Sequence, residues 1–265
     1  MPLSPKQVRQ LRALLRRLAA ANAVSSIPGG AGKALEAWAF MVLADAARNV
    51  PGWQVTLHQS DGSLLPRGSA FQFSGAPSAL TSAAGGACFA RLRRTIGAQR
   101  TLELHNGIQH LGRSGARHEW DIALIPYEVA EAVRTGNQLY PLGLPILGIE
   151  CKDKPRDGSS DEMRQTLARM YDLTHVSMDR HPWRKRIMDP KLTVGVGRRF
   201  TQYRAAYKNG LFGILRIGGF QRGARELSEY YHIKQFGHVT SNNLLTRFRL
   251  QNEMANILGS IDRYY

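Results

Sequence analysis

Asp121, Glu150 and Lys152, in the middle of the sequence, combine side-chain types and a spacing that could do metal-assisted chemistry. Asp121 heads the apolar run of His-Glu-Trp-Asp-Ile-Ala-Leu-Ile, residues 118–125. Glu150 and Lys152 close a second apolar run, Ile-Leu-Gly-Ile-Glu-Cys-Lys, residues 146–152, with a spacer of 28 residues after the aspartate. Alternate residues of a strand share a face, so Glu150 and Lys152 would project together and Cys151 would turn away. If the strand carrying Asp121 pairs beside this one, two carboxylates converge. Their repulsion raises one pKa unless a cation sits between them. Mg2+ suits that gap, with Mn2+ as a substitute, because it takes oxygen ligands and keeps several waters. An ion held there would activate a bound water and polarise a substrate oxygen. A lysine among carboxylates stays protonated, so Lys152 is expected to act electrostatically before it acts as a base.

A carboxylate, a spacer and Glu-x-Lys at a strand end resembles the pattern of the PD-(D/E)xK nuclease superfamily. The resemblance covers residues 30–175, with one departure: Trp120 stands where the family name has proline. It implies an α/β, restriction-endonuclease-like core, a mixed β-sheet flanked by helices, and hydrolysis of phosphodiester bonds. It implies that Asp121 and Glu150 hold the ion, with the main-chain carbonyl of Cys151 as a further ligand. Many members draw a glutamate from a helix before the first core strand, and Glu36 matches it in type and order. Several groups use a residue of the following helix, often glutamine, which points to Gln165. DNA is the expected substrate, RNA the lesser one. The expected setting is a homodimeric prokaryotic defence nuclease, restriction or antiviral, in the cytoplasm, with any activator or partner protein unidentified. These expectations rest on analogy of fold. The alternative is a catalytically inactive relative that binds nucleic acid or serves in assembly.

The flanking elements are legible in outline. Residues 32–49 predict a helix with a buried stripe at 35, 38, 39, 42 and 43, stopped by Pro51-Gly52, and Glu36 lies beside that stripe. Gly29-Gly-Ala-Gly-Lys33 fails as a phosphate loop, since Ile27 holds the first glycine's place and Ala34 replaces the hydroxyl residue. Lys33 is left as a candidate phosphate contact. Residues 53–58 alternate as a strand, and 61–117 reads as an insertion with short strand-like pieces around 69–73 and 101–105. Within it, Arg91, Arg93, Arg94 and Arg100 form a cluster that could embrace a nucleic-acid backbone. Helices are expected over 127–135, 160–174 and 242–260, and strands over 146–152, 191–196 and 211–217. The whole of 1–265 is taken as one domain: a basic helix within 1–28, a core over 30–217 and a helical extension over 218–265.

Charge supports an acidic centre inside a cationic protein. Lys plus Arg is 36 against 20 Asp plus Glu, a net +16. Residues 1–117 hold 14 basic and 4 acidic side chains and 190–265 hold 12 and 4, whereas 118–189 hold 10 and 12. Cationic arms about an acidic centre suit phosphate-backbone binding. Candidate contacts are Arg184, Lys185 and Arg186, which follow Trp183, and the pair Arg198-Arg199. Two cysteines are too few for a disulfide framework, and the scattered histidines lack zinc-site spacing. No apolar run is long enough to span a bilayer, so no membrane partner is expected.

Overall fold

The computed structural model describes residues 30–174 other than 77, 78, 81 and 84, then 207, 208, 210–239 and 244–263, with isolated positions 9 and 13. The expected N-terminal helix (apart from those two positions), the strand over 191–196, and Arg184, Lys185, Arg186, Arg198 and Arg199 lie outside the described residues.

Helix α1, Gly30–Arg48, is rich in alanine, so other elements approach it closely, and from Ala34 to Ala47 it is buried on every side. The stripe expected from periodicity is therefore only part of its buried surface. It lies against strands β1 to β5 and against the last helix, α5, Leu244–Gly259. The strands are β1, Trp53–His58; β2, Phe89–Arg94; β3, Thr101–Leu111; β4, Arg117–Pro126; β5, Leu147–Lys152; β6, Leu211–Arg216; and β7, Ile233–Phe236. They form one seven-stranded mixed sheet in sequential order, flanked by helices. β1 to β5 are antiparallel to their neighbours, while β5, β6 and β7 run parallel. Helices α2, Tyr127–Arg134, α3, Ser160–Leu173, and α4, Arg222–Tyr230, follow β4, β5 and β6 respectively.

The segment expected as an insertion, 61–117, contributes β2 and β3 to the centre of this sheet. Its glycines and serines concentrate before residue 88, which masked the strands that come after. Of the arginines that could embrace a nucleic-acid backbone, Arg91, Arg93 and Arg94 bind Glu103, Gln54 and Asp262. In α5 the buried face is Thr246, Leu250, Met254, Ile257 and Leu258. Leu244, Leu245 and Phe248, apolar residues at the start of that helix, are exposed.

A buried polar knot fixes the face of β2 and β3. Glu103 is fully buried and accepts paired hydrogen bonds from Arg134 (2.7 and 2.8 Å) and from Arg91 (3.2 and 3.0 Å), while His105 completes its partners at 3.0 Å. Phe89 lies between the rings of His58 and His105, with Arg91 and Arg134 over its face. Burial alone would raise the Glu103 pKa; His105 and Arg134 outweigh it and hold the carboxyl down at about 2. A depressed carboxyl contributes stability above the unfolded-state value, which is lost as pH falls through the folded one. Wild-type stability in denaturant should thus fall from pH 4.5 towards 2, and Glu103→Gln should flatten that fall. At neutral pH the same substitution takes the carboxylate from the half-buried Arg91 and leaves Arg134 with Glu131 alone, and should cost about 3 kcal/mol. Parallel pH curves for the two proteins would refute the assignment.

Candidate active site

Register decides what meets at the end of β4. Ile122 pairs with Ile149, Ala123 with Gly148 and Leu124 with Leu147, and the ladder ends there, one residue short of Asp121 and Glu150. The Cys151 N–H donates to Asp121 Oδ2 at 2.6 Å, which ties the aspartate to the strand that carries the glutamate. Gly148 makes room for the Trp120 ring: a Cβ there would stand 2.7 Å from it. Trp120 is fully buried and carries the Arg169 guanidinium 5.1 Å from its ring centroid.

Glu150 is almost fully buried, and its two oxygens accept from different cations, Oε1 from Lys152 and Oε2 from Arg169 of α3. Burial pushes its pKa up, but Arg169 and then Lys152 outweigh burial and hold it below the ordinary value. Lys152 is in turn held above its ordinary value, since Glu150 and Asp121 overcome the effect of burial. That favours the ammonium form, a donor. Among the described residues no cation is hydrogen-bonded to Asp121. Burial first, then the Glu150 and Glu36 carboxylates, raise its pKa to about 8.

Two further glutamates face the same centre. Glu36 of α1 is buried and accepts from Lys33 at 2.7 Å. Burial raises its pKa; Lys33 offsets part of that, and Glu119 and Glu150 add to it. Glu119 is likewise raised by burial, and Glu150 reinforces the shift. Its Oε1 is buried without a hydrogen-bond partner among the described residues.

Asp121, Glu150, Lys152 and Glu36 are therefore brought together from α1, β4 and β5, and Lys33 joins them as the partner of Glu36. Gln165 is not: it lies exposed on α3, and the α3 residue that reaches Glu150 is Arg169, one turn later. The Cys151 side chain packs beside the core, and its main-chain N–H serves Asp121. Reasoning from sequence missed Arg169 and Glu119. The i+4 step from Gln165 carries the first, and Glu119 stands two residues before Asp121 on the same strand, a spacing visible in the sequence. His118 is outside the centre, bonded to Asp172 at 2.7 Å beside Ser114.

The oxygen donors available to a cation are the carboxylates of Asp121, Glu36, Glu119 and Glu150. Two observations suit a hard divalent ion: the orphaned buried Glu119 oxygen, and an Asp121 bonded to no cation among the described residues. One opposes it. Among the described residues no three His, Cys, Asp or Glu side chains are gathered closely enough to hold a metal ion. Lys152 and Arg169 occupy the place such an ion would take beside Glu150.

Comparison of the chain with protein-family models, curated proteins and solved structures found no match. No helix among the described residues is long and apolar enough to cross a membrane.

An acid whose folded pKa lies above its unfolded value keeps, between the two, a proton that the unfolded chain has lost, so stability declines with rising pH across that window. For Asp121 the window runs from 3.8 to about 8. Thermal unfolding in chelator should show Asp121→Asn gaining on wild type as pH rises from 5 to 8, because the amide supplies the neutral form at every pH. A constant difference across that range would mean that Asp121 is ionised throughout.

Proposed function

We propose that this protein is a metal-dependent nuclease of the PD-(D/E)xK kind, with a restriction-endonuclease-like core, that hydrolyses phosphodiester bonds of DNA. The observation that carries the reading is the Cys151 N–H bond to Asp121, which ties the aspartate to the strand that carries Glu150 and Lys152. The order of elements supports it: a helix with its glutamate at the centre, then the strands that carry Asp121 and Glu150, then a helix and further strands.

Mg2+, or Mn2+ in its place, would supply an activated water and charge stabilisation at the phosphate when bound. Asp121 and Glu119 would hold it directly, and Glu150 would join once an oxygen is released by Arg169 or Lys152. Glu36, with its proton balance set by Lys33, would hold the ion's waters. Lys152 would orient the attacking water or meet the charge developing on the phosphate, and Arg169 would position Glu150. A DNA-directed defence role and a homodimer, which would cut both strands, belong to the same reading.

Magnesium-dependent cleavage of plasmid, linear duplex, single strands and RNA tests it. Wild type should nick or cut duplex DNA, and Lys152→Ala should be slower by about 10²–10³-fold, the loss typical of one electrostatic donor. Equal rates for the two proteins would remove Lys152 from the chemistry and the reading with it.

The full occupation of Glu150 by Lys152 and Arg169 favours a second reading, an inactive relative that only binds nucleic acid. The two separate on metal binding. Under the nuclease reading magnesium raises the melting temperature of wild type and not of Asp121→Asn; under the second neither protein responds.

A further inference from the structure

Strand β7 ends the sheet, and a groove of about 700 Å³ runs beside it between α4 and α5. Its walls carry Lys208, Arg225, Lys234 and Arg249, with the imidazoles of His232 and His238, against a single carboxylate, Glu229. Lys234 is matched by Glu253 at 2.7 Å, so the surplus positive charge rests on Lys208, Arg225 and Arg249. All three are exposed. His232 and His238, at the two ends of β7, are the non-glycine residues with positive φ among those described, 58° and 56°. Strained backbone of this sort persists only where surrounding structure fixes it, and it collects at binding sites. Here it holds both imidazoles at the groove. The floor is also fixed: Thr246 Oγ1 donates to the Gly237 carbonyl at 2.8 Å, tying the start of α5 to the end of β7.

The groove is joined to the candidate active site by the main chain. Lys152 pairs with Arg216 in the β5–β6 ladder, and beyond the strand ends Gly218 N–H donates to Lys154 O and His238 N–H donates to Gly218 O, both at 2.9 Å. Two ladder spacings, roughly 10 Å, therefore separate the Lys152–Lys154 segment from the His238 end of the groove. Along one strand of a duplex that is about three phosphates. Ligands of α/β sheets characteristically lie across the carboxyl ends of parallel strands, where Lys152 and His238 both stand.

We propose that this groove is a second anchor for a nucleic-acid backbone, holding phosphates a few nucleotides from the bond presented to Glu150 and Lys152. It rests on the nuclease reading for its substrate. Free phosphate and nucleotides share the same chemistry, so the test must separate them from the polymer. Binding of a short labelled duplex is followed by fluorescence anisotropy in chelator over a range of salt, with no cleavage to complicate it. The combined variant Lys208→Gln, Arg225→Gln, Arg249→Gln should bind at least about tenfold more weakly at moderate salt. Its log–log salt slope should be shallower by about 2–3, one unit for each phosphate no longer neutralised. Arg222→Gln, on α4 outside the groove lining, should leave the slope unchanged. If the combined variant loses its cooperative thermal transition, Lys208→Gln alone should lower the slope by about 1. An unchanged slope in a folded variant overturns the proposal. So does an equal loss with Arg222→Gln, and so does calorimetric binding of ADP or inorganic phosphate abolished by the variant while the duplex slope stays put. Because binding is read without metal, absent cleavage with an intact slope change would sink the nuclease reading and leave the groove standing.

Discussion

The antiparallel register between β4 and β5 is the constraint on which the site depends. Pairing of Ile122 with Ile149 buries two β-branched side chains and at the same stroke brings Asp121 beside the strand end that carries Glu150. Residues 122–125 and 147–150 are buried on both faces of the sheet, so what opposes a slip of one residue is Gly148, the position that leaves room for the Trp120 ring. The Cys151 N–H bond to Asp121 locks the same register at its end. The electrostatic consequence is an unbalanced cluster. Carboxylates from three elements share a half-dry volume, and the cations present satisfy Glu150 and Glu36 while leaving Asp121 and Glu119 short.

That imbalance contrasts with the knot around Glu103, where burial is deeper but both carboxylate oxygens meet several donors. Two guanidiniums and an imidazole close on one carboxylate, aromatic faces cover the rest, and the group becomes a rigid brace between β2, β3 and α2. Arg216 plays a similar part at the end of β6: it is buried, pairs with Glu162 of α3 and reaches the Arg156 carbonyl, fastening the loop after β5 to the sheet. The Glu103 carboxylate is met at both oxygens, whereas Arg216 Nε and Glu119 Oε1 are buried without a hydrogen-bond partner among the described residues, and the proposed metal site draws on the second.

The sequence displays the site better than its scaffold. Asp121, Glu150 and Lys152 are legible because charge at the end of an apolar run has few structural excuses, and Glu36 because it sits beside a helical stripe. Gln165 fits by type alone. It fails because reach across to β5 is set by where α3 lies, which puts Arg169 and not Gln165 over Trp120. Strands β2 and β3 show in the sequence only as fragments. β3 buries Glu103, His105, Asn106 and His110, polar residues that blur the alternation a strand should show. Likewise Leu244, Leu245 and Phe248 promise a buried face that the helix does not use.

Each strand of the sheet lies beside the one that precedes it in the chain, from β1 to β7. The ladders from β1 to β5 therefore close over short stretches of chain, which carry a small entropic penalty, whereas β5 and β6 pair across the long stretch from Lys152 to Leu211. The longest tie is the seam between α1 and α5, reinforced by the ion pair of Arg94 with Asp262, which unites regions some two hundred positions apart. A chain emerging from the ribosome can zip its sheet as it appears, yet must wait for its final helix before the first one is sealed in place.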